Sequence, residues 1–194
     1  MGIAILTISS CIYTFHPLHS DDTLIDMPLL EGSFQLDNSN EDDPEIWTFT
    51  RTGKGAYDLA IVAGPKQGVM EVHVVKLGGE YFLDILPTEM NSDLIPDFVE
   101  WNLMPVYTIA RMITEGENVK LLFFDAVWLE EKLSSHKIRI AHEVRLKDEK
   151  KPRDIEFILL TAGTGELQKF VEKYARFEDA YDEEGTLLTR VAAR

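Results

Sequence analysis

The chain has a single cysteine, Cys11, in 194 residues. No intrachain disulfide can form, and no zinc site built on paired cysteines is possible. Positive charge is scarce as well: 19 basic residues against 34 acidic ones give a formal net charge of −15. Such a surface repels phosphate backbones and anionic head groups, which sets nucleic acid aside as a partner. Beyond the first ten residues, no apolar run approaches the roughly 20 residues that cross a bilayer as a helix. There is no Gly-x-Ser-x-Gly elbow and no Walker pattern. Gly53-x-Gly55 and Gly163-x-Gly165 are lone glycine pairs that complete no dinucleotide fingerprint. The sequence therefore points to a protein that is not an enzyme and carries no cofactor or metal.

What is present is a globular composition. Hydrophobic residues make up 45% of the chain, enough for a core that needs no covalent cross-links. The first ten residues, Met-Gly-Ile-Ala-Ile-Leu-Thr-Ile-Ser-Ser, carry no charge. They have the apolar body and small-residue end of an export signal. Ile8-Ser9-Ser10-Cys11 also resembles the bacterial lipobox, in which the Cys thiol takes a diacylglycerol and the leader is cut before it. No Lys or Arg precedes the apolar run. The resemblance implies lipidation at Cys11, a membrane as partner, and a bacterial cell-envelope location outside the cytoplasm. The competing expectation is a buried first strand over residues 3–8 with Cys11 as an inert core thiol. Residues 16–28 lack either hydrophobic period and 11–28 read as a tether, which leaves 29–194 as one domain.

That domain reads as mainly β. Period-two segments bounded by turn residues fall at Ser33–Leu36, Ile46–Thr50, 57–62, Val69–Leu77, Glu80–Leu86, Val106–Ile113 and Val119–Phe124, with a weaker one near Val144, then Ile155–Thr161 and Thr186–Val191. Gly78-Gly79 joins two of them as a two-residue hairpin turn. Two short helices are expected, at about 126–135 capped by Asp125 and at about 165–176 capped by Thr164. In the second, Leu167, Phe170, Val171 and Tyr174 share one face. So many short antiparallel strands in a meander favour closure into a barrel or a strongly curved sheet, which removes unpaired edges.

Leu30-Glu31-Gly32-Ser33-Phe34 resembles the opening Gly-x-Trp motif of lipocalin-like barrels, with Phe34 where those have Trp. The order of meander, late helix and short final strand is similar to that family too. No basic residue precedes the late helix to cover the barrel base. The stretches Trp47-Thr48-Phe49 and Val72–Asp84 resemble segments of bacterial predicted lipoproteins, a likeness that brings no activity with it. The lipocalin resemblance implies a barrel able to hold an apolar or amphipathic small ligand. The alternatives are a filled barrel acting as a protein-interaction module and a hydrolase using His73 and Asp84.

A two-residue turn at Gly78-Gly79 fixes a register that sets His73 opposite Asp84. One hairpin face then carries Glu71, His73, Val75, Phe82, Asp84 and Leu86. The other, nearly all apolar, carries Val72, Val74, Tyr81, Leu83 and Ile85. A carboxylate beside an imidazole can fix its tautomer and orient it, so His73, Asp84 and Glu71 are candidate ligand-binding residues. The ordinary alternative is a cross-strand pair on a solvated face. Phe98 and Trp101, in an irregular apolar crossing over 88–103, are candidates for a lid or a plug at a barrel mouth. His16-x-x-His19 with Asp21 and Asp22 offers metal-type ligands but reads as polar linker. His136 suits a helix C-terminus, and His142 has no evident partner.

Overall fold

The computed structural model describes residues 12–37, 39, 43–89, 104–147 and 155–192. Cys11, Phe98 and Trp101 lie outside the described residues. Seven strands form a meander: β2 (Gly32–Leu36), β3 (Ile46–Gly53), β4 (Ala56–Ala63), β5 (Lys66–Leu77), β6 (Glu80–Glu89), β7 (Thr108–Glu115) and β8 (Asn118–Phe123). The final strand, β11 (Thr186–Arg190), pairs antiparallel with both β8 and β2 and closes an eight-stranded barrel. This architecture is consistent with a lipocalin-like fold.

The hairpin register is the expected one, with Leu77 opposite Glu80 and His73 opposite Asp84. Gly78 and Gly79 both have positive φ, 59° and 82°, as the twist-matched primed turn requires. The apolar face of the hairpin lines the barrel, where Val72, Val74, Leu83 and Ile85 join Phe34, Trp47, Phe49, Tyr57 and Leu59 in one cluster. Phe34, Tyr57, Leu59, Val74, Leu83 and Leu121 are 0% exposed. The side chains that face the middle of the barrel are thus shielded from solvent by one another.

One barrel end is closed by the chain that precedes β2. Ile25, Met27 and Leu30 pack on the interior cluster, and the Met27 N–H donates to the Tyr57 hydroxyl at 2.9 Å. Arg190 covers Phe34 from β11, its guanidinium 4.5 Å from the ring centre, and donates to the Glu31 and Leu29 carbonyls. The cation over the barrel base is thus supplied by the closing strand rather than by the approach to the late helix.

A second core lies outside the barrel. The parallel pair β1 (Ile12–Thr14) and β10 (Ile155–Leu160) continues into antiparallel β9 (His142–Leu146) as a three-stranded sheet. With helices α1 (Ala126–Ser134) and α2 (Thr164–Tyr174), this sheet covers Val75, Phe82 and Ile109 on the outer barrel wall. The apolar stripe of α2 is the expected one, with Leu167, Phe170 and Val171 buried. Asp125 caps α1 by accepting from the Trp128 N–H at 2.6 Å. Thr164, by contrast, does not cap α2: Gly163 is the cap residue, and the Thr164 hydroxyl donates to the Pro17 carbonyl at 2.8 Å.

Residues 12–28 are therefore not a tether. Ile12–Thr14 is a paired strand, Leu18 is 0% exposed, and Leu24 bridges Val75 on the outside of the barrel. Long-range hydrogen bonds, not local periodicity, hold this strap: Lys76 N–H donates to the Thr23 carbonyl and Ile25 N–H to the Val74 carbonyl.

Candidate functional site

The mixed face of the β5–β6 hairpin points away from the barrel interior, yet around Asp84 it is not solvated. The strap lies over it. Asp84 is 0% exposed, and its Oδ2 accepts from the Leu18 N–H at 2.8 Å, the His19 N–H at 3.1 Å and His19 Nδ1 at 2.7 Å. A carboxylate only accepts, so His19 Nδ1 carries the proton in this bond. Burying a carboxylate costs several kcal/mol unless hydrogen bonds and charge replace water. Two backbone donors and an imidazole meet that need at Oδ2, while Oδ1 is buried without a hydrogen-bond partner among the described residues.

His73 takes a different part from the one its register suggests. It sits opposite Asp84 but does not bond to it. Its ring stacks on His19, with centroids 3.7 Å apart, and its Nδ1 lies 3.4 Å from Glu71 Oε1. Burial lowers the His73 pKa, the neighbouring His19 adds to that, and Glu71 and Asp84 oppose it. Tyr107 lies edge-on to His19, and burial raises its pKa. Gln168 of α2 locks the strap from the far side by donating to the Leu18 carbonyl and the Ser20 hydroxyl.

The structure thus brings together His73, Asp84 and Glu71 and adds His19, whose sequence context is that of a polar linker. Asp84 Oδ2 is committed to the strap, so the cluster is a clasp between two parts of the fold. Among the described residues, no group of three metal-type ligands converges, and His16, Asp21 and Asp22 do not join His19 in one. His142 finds the Ile140 carbonyl at 2.7 Å through Nδ1.

A cleft of about 830 Å³ opens elsewhere, on the outer faces of β7 and β8, where α1 and the segment 178–183 overhang them. Six carboxylates line it: Asp125, Glu131, Glu178, Asp179, Asp182 and Glu183. Only two cations, Arg111 and Lys120, share the lining. Arg111 is partly spent, bonding Glu80 at 3.0 Å and covering the Tyr181 ring at 5.5 Å. Trp128 and Leu122 provide apolar wall. Burial pushes the Asp182 carboxyl up to about 6, with the charge of Asp125 adding to the effect. Burial likewise raises the Tyr181 hydroxyl. Asp182-Glu183-Glu184 is an acidic run with no hydrophobic period of its own. Its approach to Asp125 and Glu131 depends on the Phe124–Tyr181 bridge, which has no local signature.

Set beside protein-family models, curated proteins and solved structures, the chain matches none of them.

Proposed function

We propose that this chain is a lipid-anchored docking domain of the bacterial cell envelope that uses its barrel as a scaffold and takes a cationic segment of a protein partner in the acidic outer cleft. The observation that carries this reading is a contrast. Phe34, Phe49, Tyr57 and Leu59 bury large side chains in one cluster inside the barrel, while an open cleft with six carboxylates sits on the outer wall. A packed interior favours docking over enclosure of an apolar ligand. The 830 Å³ of the cleft falls within the roughly 300–1,000 Å³ typical of ligand sites. Its charge suits Lys or Arg side chains, and its Trp128 wall suits their aliphatic stems.

A lysine-rich peptide titrated into the full chain tests the reading through Trp128 fluorescence and calorimetry. Saturable binding that weakens steeply with salt is expected. Reversing Glu178 and Asp179 to Lys should abolish it, while Asp58→Lys, on an exposed part of β4, should leave it nearly intact. Equal loss from both would reduce the effect to diffuse attraction by a −15 surface and end the proposal. Membrane anchoring rests on Ile8-Ser9-Ser10-Cys11 alone. Mass spectrometry of the natively expressed protein should find Cys11 at the N-terminus and carrying diacylglycerol; an intact Met1 with an unmodified Cys11 would overturn the anchor.

A further inference from the structure

On a chain with 34 acidic and 19 basic residues, basic side chains should be found among acids. Among the described residues, a place on α2 and the segment after α1 departs from this. Lys137, Arg139, Lys169 and Lys173 border a notch of about 280 Å³ floored by Ile138, Ile140, Phe170 and Tyr174, and Glu166 is the one carboxylate in its lining. Lys169 and Lys173 are one turn apart on α2, and Lys137 and Arg139 come from the segment that leaves α1.

Two local rules are broken to build it. Like charges at i and i+4 on a helix repel, yet Lys169 and Lys173 stand in that relation. Lys173 lies 5.1 Å from the Tyr174 ring centre, and among the described residues Lys137, Arg139 and Lys169 make no ion pair. The turn after α1 is also strained. His136 has φ 57°, a left-handed conformation that a side chain disfavours. His136 N–H donates to the Leu133 carbonyl and Lys137 N–H to the Lys132 carbonyl, which is the Schellman geometry usually entrusted to glycine. That turn sends Lys137 and Ile138 back towards α2. Local departures of this kind gather where a protein binds something.

We infer that this notch binds a small amphipathic anion, with its phosphate, sulfate or carboxylate group held by the four cations and its apolar body seated on Ile138, Ile140, Phe170 and Tyr174. The size of the notch and the charge of the molecule both limit the ligand. The volume lies at the lower end of ligand pockets, which suits one ring or a short acyl chain. A polyanion or an anionic bilayer would have to lie along the rest of a surface that repels it, whereas a compact anion meets only the local positive field. The site is separate from the acidic cleft and does not depend on what that cleft binds.

Calorimetry on the full chain with phenyl phosphate, inorganic phosphate and phenol tests the assignment. Phenyl phosphate should bind one-to-one and about tenfold more tightly than phosphate, as burial of the ring requires. Phenol should not bind measurably. The double variant Lys169→Glu/Lys173→Glu, at exposed positions, should keep the thermal midpoint and weaken phenyl phosphate by about tenfold or more. Lys66→Glu, at an exposed position of β5, should leave phenyl phosphate binding unchanged. Equal affinity for phosphate and phenyl phosphate, or wild-type affinity in the double variant, would leave an adventitious ion only and overturn the inference. Tighter retention on phosphatidylglycerol vesicles than of free phenyl phosphate would overturn it too, by making the target a membrane.

Discussion

Gly32 and Arg190 share one small space at the barrel end. Gly32 has φ +118°, and a Cβ there would come within 2.8 Å of Arg190 Nη1. Gly32→Ala should therefore combine backbone strain with loss of the cation over Phe34, lowering stability by about 2 kcal/mol or more in denaturant unfolding. Two titrations of opposite sign act elsewhere. The folded pKa of His73 is lowered, so the unfolded chain takes up the proton first. The associated stability is present above about pH 6.5 and is lost as pH falls below it. His73→Phe keeps a ring against His19 and should flatten the acid side of the stability profile. Asp182 behaves in reverse. Its pKa is raised from 3.8 to about 6, so its contribution is present below the unfolded value and is lost as pH rises through about 6. Asp182→Asn should raise the thermal midpoint near neutral pH and leave it almost unchanged near pH 4. Cationic-peptide binding should also weaken as pH falls through about 6, because the cleft then loses a carboxylate charge.

At the scale of elements, the hairpin of β5 and β6 was readable because its constraint is local. Gly78-Gly79 can turn in few ways, and one turn residue more or less would move Val72 and Val74 out of the core. The Asp125 cap was readable for the same reason, and Asp125→Ala should cost about 1 kcal/mol. The strap over residues 15–25 was not readable. His-Pro-Leu-His-Ser-Asp-Asp has no period, since its partners, Asp84, Val75, Lys76 and Gln168, lie far away in sequence. Parallel pairing of β1 with β10 leaves no trace in either strand alone. Of the candidate site, the register of His73 and Asp84 was legible, but the commitment of Asp84 to His19 was not. Asp84→Ala would strand two backbone N–H groups and should cost about 3–5 kcal/mol, with faster proteolysis of the strap as its visible consequence.

The whole molecule joins a closed barrel to a smaller sheet-and-helix layer through one shared wall. Alternation and turn spacing revealed that the barrel exists but not what fills it. A hollow and a packed barrel have the same period, and only the sum of Phe34, Trp47, Phe49 and Tyr57 in three dimensions decides between them. The loss of the tether also changes what a lipid on Cys11 would mean. Ile12 is already 5% exposed within β1, so an anchored domain would ride directly against the head groups, with its net charge of −15 pressing it away. Binding to anionic vesicles by the lipidated form should accordingly strengthen with added salt.

The position of β11 also governs how the chain comes to be folded. β2 and β8 wait with open edges until Thr186–Arg190 has been synthesised, and α1, the outer sheet and α2 are made in between. A nascent chain stopped anywhere before this strand exposes two unpaired β edges, which are templates for aggregation. Closure between such distant segments is slow compared with helix or hairpin formation. Chains ending before Thr186 should precipitate or engage chaperones, and a synthetic peptide of the last strand supplied in trans should restore solubility. Barrel closure therefore waits on the synthesis of β11, and exposure to misfolding is set by the time between making β8 and making β11.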